Sequence, residues 1–480
     1  MEKGDNMDYK VEKEKKAKKS GINPYVLIFS VIVLAAILSF IITPGKLENG
    51  IYTALPKNKL NFNNLFNIFR AVPYGLRDSA SISLVVLVVG GALEIYNRTG
   101  AIDAGISALV NKFGTNTQAI LLCALLILFS AIGGFLGWIE TLIPFVPLVI
   151  AVILALGYDS LTAVAVPIVG LMGGFMAGPT NILTVGVCNE ILQEIGALPK
   201  GGDLFVGLSY RIIIWIAVTA VSIIYILSYG NKVRKDPTKS LVADVDVTDI
   251  KINKNTDQSK DVKMTITRVL VLLTILCAMV LCVIGLKFGI NGVIWSVDDV
   301  SAVFFLSGII AGIIGRMDAG VIADSFIEGA KNALGGAFII GVARGVYWIL
   351  DTANINATVI HSATELLKGT SPLIASIGIV IIVSFINGLI PSGSGKGVLL
   401  TPILGPIGLN LGLSPATTVL AYQFGDGITN MFWFTYGTLL IFLSYGKVPI
   451  NKWYKFFTPL MLIFFMMAFI FLAIAINIGY

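Results

Sequence analysis

The sequence predicts an all-α, polytopic membrane protein built from two inverted repeats, and three observations carry that expectation. Apolar residues fill 56% of 480 positions and charged ones 13%, with a mean hydropathy of +0.87, a composition that no soluble domain of this length tolerates on its surface. Apolar runs of roughly 20 residues, long enough for a hydrocarbon core of about 30 Å, recur along the chain. Finally, the stretches 99–190 and 352–443 read as one module written twice.

The repeat is sparse but ordered. Thr99, Ile102 and Ala104 recur 253 positions later as Thr352, Ile355 and Ala357. Pro147, Gly157, Thr162 and Val164 recur at a spacing of 255 as Pro402, Gly412, Thr417 and Val419, and Thr180-Asn181 recurs as Thr429-Asn430. Internal repeats in a polytopic chain are the sequence trace of secondary-transporter folds, in which one plan in two orientations can build two facing states of similar energy.

Taken in order, the lysine-rich segment 1–23 and the linker 230–266 are placed on the cytoplasmic side by the positive-inside rule. The run 24–43 is too long for a signal-peptide core and has no small-residue cleavage pattern, so it reads as a retained first helix. The first half, 24–229, continues with crossings at 79–96, 160–188 and 204–229. Its run 118–156 is too long for one helix and is broken near its centre by Gly133, Gly134 and Gly137, which predicts a re-entrant hairpin. The second half, 267–480, has crossings at 267–287, 300–315, 333–350, 415–443 and 455–479 and a second hairpin at 372–411. That makes about nine crossings and two hairpins. Segments 97–117, 316–332 and 444–456 fall on the cytoplasmic side and 44–78 outside. The map runs 79–96 inward and 333–350 outward, so the repeats are inverted. The amphipathic stretches 100–114 and 353–368 are expected to lie along the membrane surface as arms.

Composition also excludes chemistry. The four cysteines, Cys123, Cys188, Cys277 and Cys282, lie in apolar segments without metal-ligand spacing and read as small core residues. A single histidine, His361, leaves His-based metal sites and Ser/His or Cys/His catalysis without parts, so the chain is not expected to be an enzyme and no cofactor is implied. The net charge of +6 reflects cytoplasmic lysines and implies no nucleic-acid partner.

The polar residues that remain at membrane depth mark the candidate site. The second tip holds Asn387, Pro391, Ser392, Gly393, Ser394, Gly395 and Lys396; its glycines let backbone approach a ligand, and a helix starting near Lys396 would aim free N–H groups at an anion such as a carboxylate. No phosphate loop is read into its GSGK, because the GxxxxGK spacing and a preceding strand are absent. In the first tip, Glu140 and Thr141 stand where the repeat puts Gly395 and Lys396. An ion-lined site is the functional reading; a Glu140–Lys396 ion pair bracing the two tips is the structural one. Beyond each hairpin a crossing is interrupted, at 173–181 with Thr180 and Asn181, and at 425–430 with Asp426, Thr429 and Asn430. Both are expected to unwind mid-membrane, where loose carbonyls hold a cation or substrate; Na⁺ near Asn181 and Asn430, or a proton on Asp426 or Glu140, are the coupling routes left open. Glu94 and Arg344 occupy equivalent crossings, where snorkelling or an interhelical brace is the expected role ahead of a direct contact with substrate. Trp453 and Tyr454 read as interfacial anchors.

The strings PSGSGKG, TPI and LAYQFGDGITN within 387–430, with RTGAIDAGI and LGYDSLTAV in the first half, resemble the YfcC-type anaerobic C4-dicarboxylate carrier-like family over nearly the whole chain after residue 24. That resemblance implies the architecture of the wider ion-transporter superfamily: a homodimer in the cytoplasmic membrane, with a transport domain moving elevator-fashion against a scaffold. It implies either a dicarboxylate or, through relatives of arginine and ornithine antiporter type, a basic amino acid as substrate. A dicarboxylate wants two cationic or N–H-rich ends, whereas a basic amino acid also wants carboxylates for its amines. Glu140 and Asp426 favour the amino acid and Lys396 opposes it. An anion channel on the same frame is the further alternative.

Overall fold

The computed structural model describes residues 24–48, 51–105, 108, 118–247, 264–290, 292–293 and 295–480. Over these, seventeen α-helices and one two-stranded sheet are formed. The lysine-rich 1–23, most of the 106–117 stretch of the first arm and the linker core 248–263 lie outside the described residues.

The first half opens with α1 (Pro24–Ile41), a β-hairpin of β1 (Gly45–Glu48) and β2 (Ile51–Ala54), then α2 (Phe62–Asp78) and α3 (Ala80–Arg98). The first hairpin is α4 (Gln118–Ala131), a π-turn (Ile132–Leu136), a 3-10 turn (Glu140–Phe145) and α5 (Val146–Ala155). Next come α6 (Ser160–Ala177), which is capped by the Asp159 carboxylate and ends at Gly178 with φ 48°, a π-turn (Ile182–Gly186), α7 (Val187–Glu194) and α8 (Leu208–Lys235). The second half holds α9 (Ile266–Phe288), α10 (Val297–Ile314), α11 (Ala319–Thr352) and the short arm α12 (Asn356–Glu365). The second hairpin is α13 (Pro372–Leu389) and α14 (Gly393–Asn410); α15 (Pro415–Asn430), α16 (Gly437–Tyr445) and α17 (Ile450–Asn477) complete the chain. Seven helices among the described residues are both long and apolar enough to cross a bilayer, and two of them are the first arms of the hairpins.

The helices pack in two groups. In one, α11 lies against α3 and α2, with α1, α10 and α9 outside them. In the other, α6 and α15 are central, ringed by α4, α8, α13 and α17. Every residue of α6 is buried, as is α15 beyond its first proline, the state expected of a helix apolar all round, yet α15 also buries Thr417, Thr418, Gln423, Asp426, Thr429 and Asn430. Polar groups enclosed at that density are candidates for function. Small residues let backbones approach: a Cβ on Gly75 of α2 would stand 2.2 Å from the Gly341 carbonyl oxygen of α11, and one on Gly427 of α15 2.4 Å from Cα of Met176 on α6.

Two segments take a helical form, and two expectations are corrected. In the segment 44–78, α2 packs on α11 through the buried Ala71 and Gly75, with Ile68 and Val72 partly buried beside them. The segment 316–332, expected on the cytoplasmic side, is largely the first part of α11, a 34-residue helix. The unwinding expected at Gly425-Asp426-Gly427 does not occur; α15 runs through it and the break falls at 431–436. Those glycines serve close packing instead, Gly425 on Val380 O and Gly427 on Met176. Trp453 and Tyr454 are not interfacial anchors: Trp453 is fully buried and stacks on Phe457, and the two side chains donate to the carbonyl oxygens of Met431 and Phe432 at 2.8 and 2.9 Å. They bind backbone groups that the break after α15 leaves unpaired.

Candidate functional site

The charged centre of the site is a closed hydrogen-bond network around Lys396. Ser392 caps α14 by accepting from the Gly395 N–H, which starts that helix at Gly393 and puts Lys396 in its first turn. The Lys396 ammonium donates to Asp426 Oδ1 at 2.5 Å, Asn387 Oδ1 at 2.5 Å and the Ile390 carbonyl oxygen at 3.3 Å. Lys396 and Asp426 are both 0% exposed. Asn387, in the last turn of α13, turns its amide N–H groups to the Asp426 carbonyl, Thr429 Oγ1 and Asn430 Oδ1 at 3.1, 3.0 and 2.9 Å. With acceptors on the nitrogen side and the ammonium on the oxygen side, the orientation of this amide is determined by its partners.

Above this network opens a cavity of about 340 Å³ where the two tips meet the other helix group. The tips contribute Gly137, Ile139 and Glu140 from the first hairpin and Pro391, Ser392, Gly393 and Ser394 from the second. Asn430 comes from the end of α15, Thr435 and Tyr436 from the break after it, Thr438 from the start of α16, Asp78 and Ser79 from the end of α2 and the residue that caps it, and Arg344 from α11. The Tyr436 hydroxyl donates to Glu140 Oε1 at 2.7 Å. The Arg344 guanidinium pairs with Asp78 and lies 4.7 Å from the Tyr347 ring centre. This pair is partly exposed, its side chains 29% and 46% accessible. Such a pair has little net stability to lose, on the order of 0–1 kcal/mol, so its groups can turn to a ligand.

The two tips are drawn to one cavity, but the Glu140–Lys396 ion pair that was the structural alternative is not formed, because Lys396 is turned away onto Asp426 and Glu140 is held by Tyr436. Ser392, Gly393, Ser394, Glu140 and Asn430 line the cavity, while Asn387, Lys396, Asp426 and Thr429 form the floor network beneath it. Thr141 and Gly395 are not among the lining residues. Thr180 donates to the Phe135 carbonyl at 2.8 Å and so ties the break after α6 to the first tip, while Asn181 Oδ1 accepts from the Leu183 N–H at 3.0 Å and caps the π-turn that follows. Asn430 Oδ1 accepts from the Asn387 amide at 2.9 Å. Glu94 pairs with Arg98 one turn along the same helix at 3.4 Å, whereas Arg344 faces the cavity. Asp78 and Tyr436 were missed. The amphipathic period of 62–78 was the available signal for Asp78; for Tyr436, paired with a residue 296 positions away, the sequence offers none.

A model of the DcuC family, described as C4-dicarboxylate anaerobic carrier, matches residues 23–477. An Escherichia coli (strain K12) protein named "Putative basic amino acid antiporter YfcC" is 29% identical over 413 residues, covering 83% of this chain and 78% of its own. Among solved structures, the Alcanivorax borkumensis YdaH transporter aligns at TM-score 0.42 and 15% identity, over 96% of this chain and 99% of its own. Neisseria gonorrhoeae MtrF, whose title speaks of a class of antimetabolite efflux pumps, aligns at TM-score 0.43 and 18% identity, over 95% of each chain.

Proposed function

The chain belongs to the C4-dicarboxylate anaerobic carrier (DcuC) family of multi-pass membrane transporters, and from that premise we propose that it exchanges basic amino acids across the cytoplasmic membrane. The observation that carries this reading is the charge balance of the cavity. Lys396 and Asp426 neutralise one another out of reach, so the ionisable groups left on the cavity wall are Glu140, Asp78 and Arg344, which together carry one net negative charge when ionised. One net negative charge suits an amino acid carrying one net positive charge and opposes a dicarboxylate carrying two negative ones. Arg344 takes the α-carboxylate, Asp78 the α-ammonium and Glu140 the side-chain cation, each as a charge-assisted hydrogen bond. The name printed for the Escherichia coli relative supports the same substrate class.

In this reading the tips and α15 form a moving element, and α2, α3 and α11 a scaffold against which it slides as an elevator, in a homodimer with its N-terminus in the cytoplasm. The glycine-mediated contact of α2 with α11 supports a rigid scaffold wall. A dicarboxylate carrier is the second reading, supported by the family description and by Arg344 on the cavity wall. Purified protein in liposomes, loaded in turn with arginine, ornithine, lysine, succinate and fumarate, separates the two. Counterflow of labelled arginine driven by arginine, lysine or ornithine alone is the expected result; counterflow confined to succinate and fumarate would overturn the proposal.

A further inference from the structure

We infer that Lys396 is a tethered counter-cation: its ammonium fills an oxygen cage that would otherwise take a monovalent metal ion, so the empty carrier needs no Na⁺. The inference rests on the transporter reading but not on which substrate is carried.

A cation in the first turn of a helix faces the positive end of the helix dipole, and a fully enclosed one loses all its hydration. Lys396 bears both penalties. What offsets them is complete satisfaction: three N–H bonds meet three oxygens, from the Asp426 carboxylate, the Asn387 amide and the Ile390 main chain. Carboxylate, amide and carbonyl oxygens are the donor set that hard cations take. The cage also joins the elements that alternating access has to keep together, since its oxygens come from α13, from the residue after it and from α15. A free ion bound there would lock the hairpin to α15 only while loaded; the lysine does so permanently.

Two further features fit a cation cage better than a simple ion pair. The second carboxylate oxygen, Asp426 Oδ2, is buried without a hydrogen-bond partner among the described residues, a spare ligand beside the ammonium's own acceptor. Asn387 Oδ1 is held toward the ammonium because all of its amide donors are engaged elsewhere. Taking the lysine away leaves a prearranged anionic pocket.

The test uses Lys396→Ala, which empties the cage, and Lys396→Ala/Asp426→Asn, which empties and neutralises it. In purified protein without substrate, the melting temperature of K396A is expected to rise by a few degrees between about 1 and about 100 mM NaCl at constant ionic strength made up with choline chloride, as mass action requires of an ion bound to the native state alone. The wild type and the double variant are expected to show no such Na⁺-specific rise. A folded K396A whose melting temperature ignores Na⁺, Li⁺ and K⁺ overturns the inference. The wild type tests it separately, even if K396A does not fold: counterflow of whichever substrate it carries is expected to be the same in Na⁺ and in choline media, and a several-fold fall in choline overturns the inference. Failure of the substrate assignment leaves the substrate-free thermal result unchanged.

Discussion

Asp426→Asn removes the one full charge facing the Lys396 ammonium and changes almost nothing else. Deleting one partner of a buried ion pair costs about 3–5 kcal/mol, because the other charge stays enclosed. The amide oxygen of Asn can still accept one hydrogen bond, which returns about 1 kcal/mol, so the net loss is about 2–4 kcal/mol. An unfolding entropy of roughly 2.1 cal/mol/K per residue makes about 1 kcal/mol/K for a chain of this length, and the melting temperature should fall by about 2–4 °C. Helical spans that persist in detergent reduce that entropy and enlarge the shift. The measurement is thermal unfolding in detergent by tryptophan fluorescence, without substrate, on D426N, on Lys396→Met and on the double variant. If the ammonium is the source of the cost, the double variant melts above D426N and the two changes are strongly non-additive. A D426N protein within about 1 °C of wild type, with a double variant no better, would show that the two groups do not share one buried network.

Glu140→Gln keeps an oxygen for Tyr436 to donate to, so the substrate-free melting temperature should hold while the KM for arginine counterflow rises about 10- to 100-fold, the worth of one charge-assisted hydrogen bond. Arg344→Gln should raise KM more than it lowers the maximal rate, because the guanidinium binds rather than reacts; an unchanged KM rules out its role at the α-carboxylate. Gly137→Ala should cost about 1–3 kcal/mol and abolish transport, since its φ is 74° and the new Cβ would stand 2.3 Å from Asn181 Oδ1. Gly157→Ala, with φ 86° and open space around it, carries the backbone strain alone and should transport normally. Asp159 caps α6 at Thr162 and accepts from Tyr229 and Ser240 at 2.8 and 2.6 Å, holding the start of the linker onto the membrane helices. Asp159→Ala should cost about 2–3 kcal/mol from the lost cap and hydrogen bonds, and limited trypsin digestion should cut near Lys235 and Lys239 faster than in wild type.

Much of the fold was legible because hydropathy and breaker residues act locally. The apolar runs became α3, α8 and α17, and the glycine and proline clusters became tips or breaks at Gly137, Pro391 and Gly178. Glycine was also the main source of error. At Gly178 it ends a helix with positive φ, while at Gly425 and Gly427 it lets a continuous helix lie against Val380 and Met176. One residue type serves both purposes, and only the neighbour decides which. Trp453 was misread for a related reason: a large ring with a polar edge suits an interface, but equally suits a buried break with a carbonyl to bind.

The residues that line the cavity or lie beneath it were mostly named from sequence, whereas their pairing was not. Composition and order alone determined a polytopic helical protein with two hairpin-like segments, and set Glu140, Ser392, Lys396, Asp426 and Asn430 apart as polar groups too costly to enclose without a task. Repeat equivalence set Glu140 beside Lys396, but equivalence describes where two copies correspond, not what touches. Tertiary structure assigned Lys396 to Asp426 across 30 positions and Glu140 to Tyr436 across 296, and brought Asp78 and Arg344 to the same cavity. The physical reason is range: hydropathy and chain stiffness act over a few residues, whereas the partner of a buried charge is whichever opposite charge or dipole packing brings within about 3 Å.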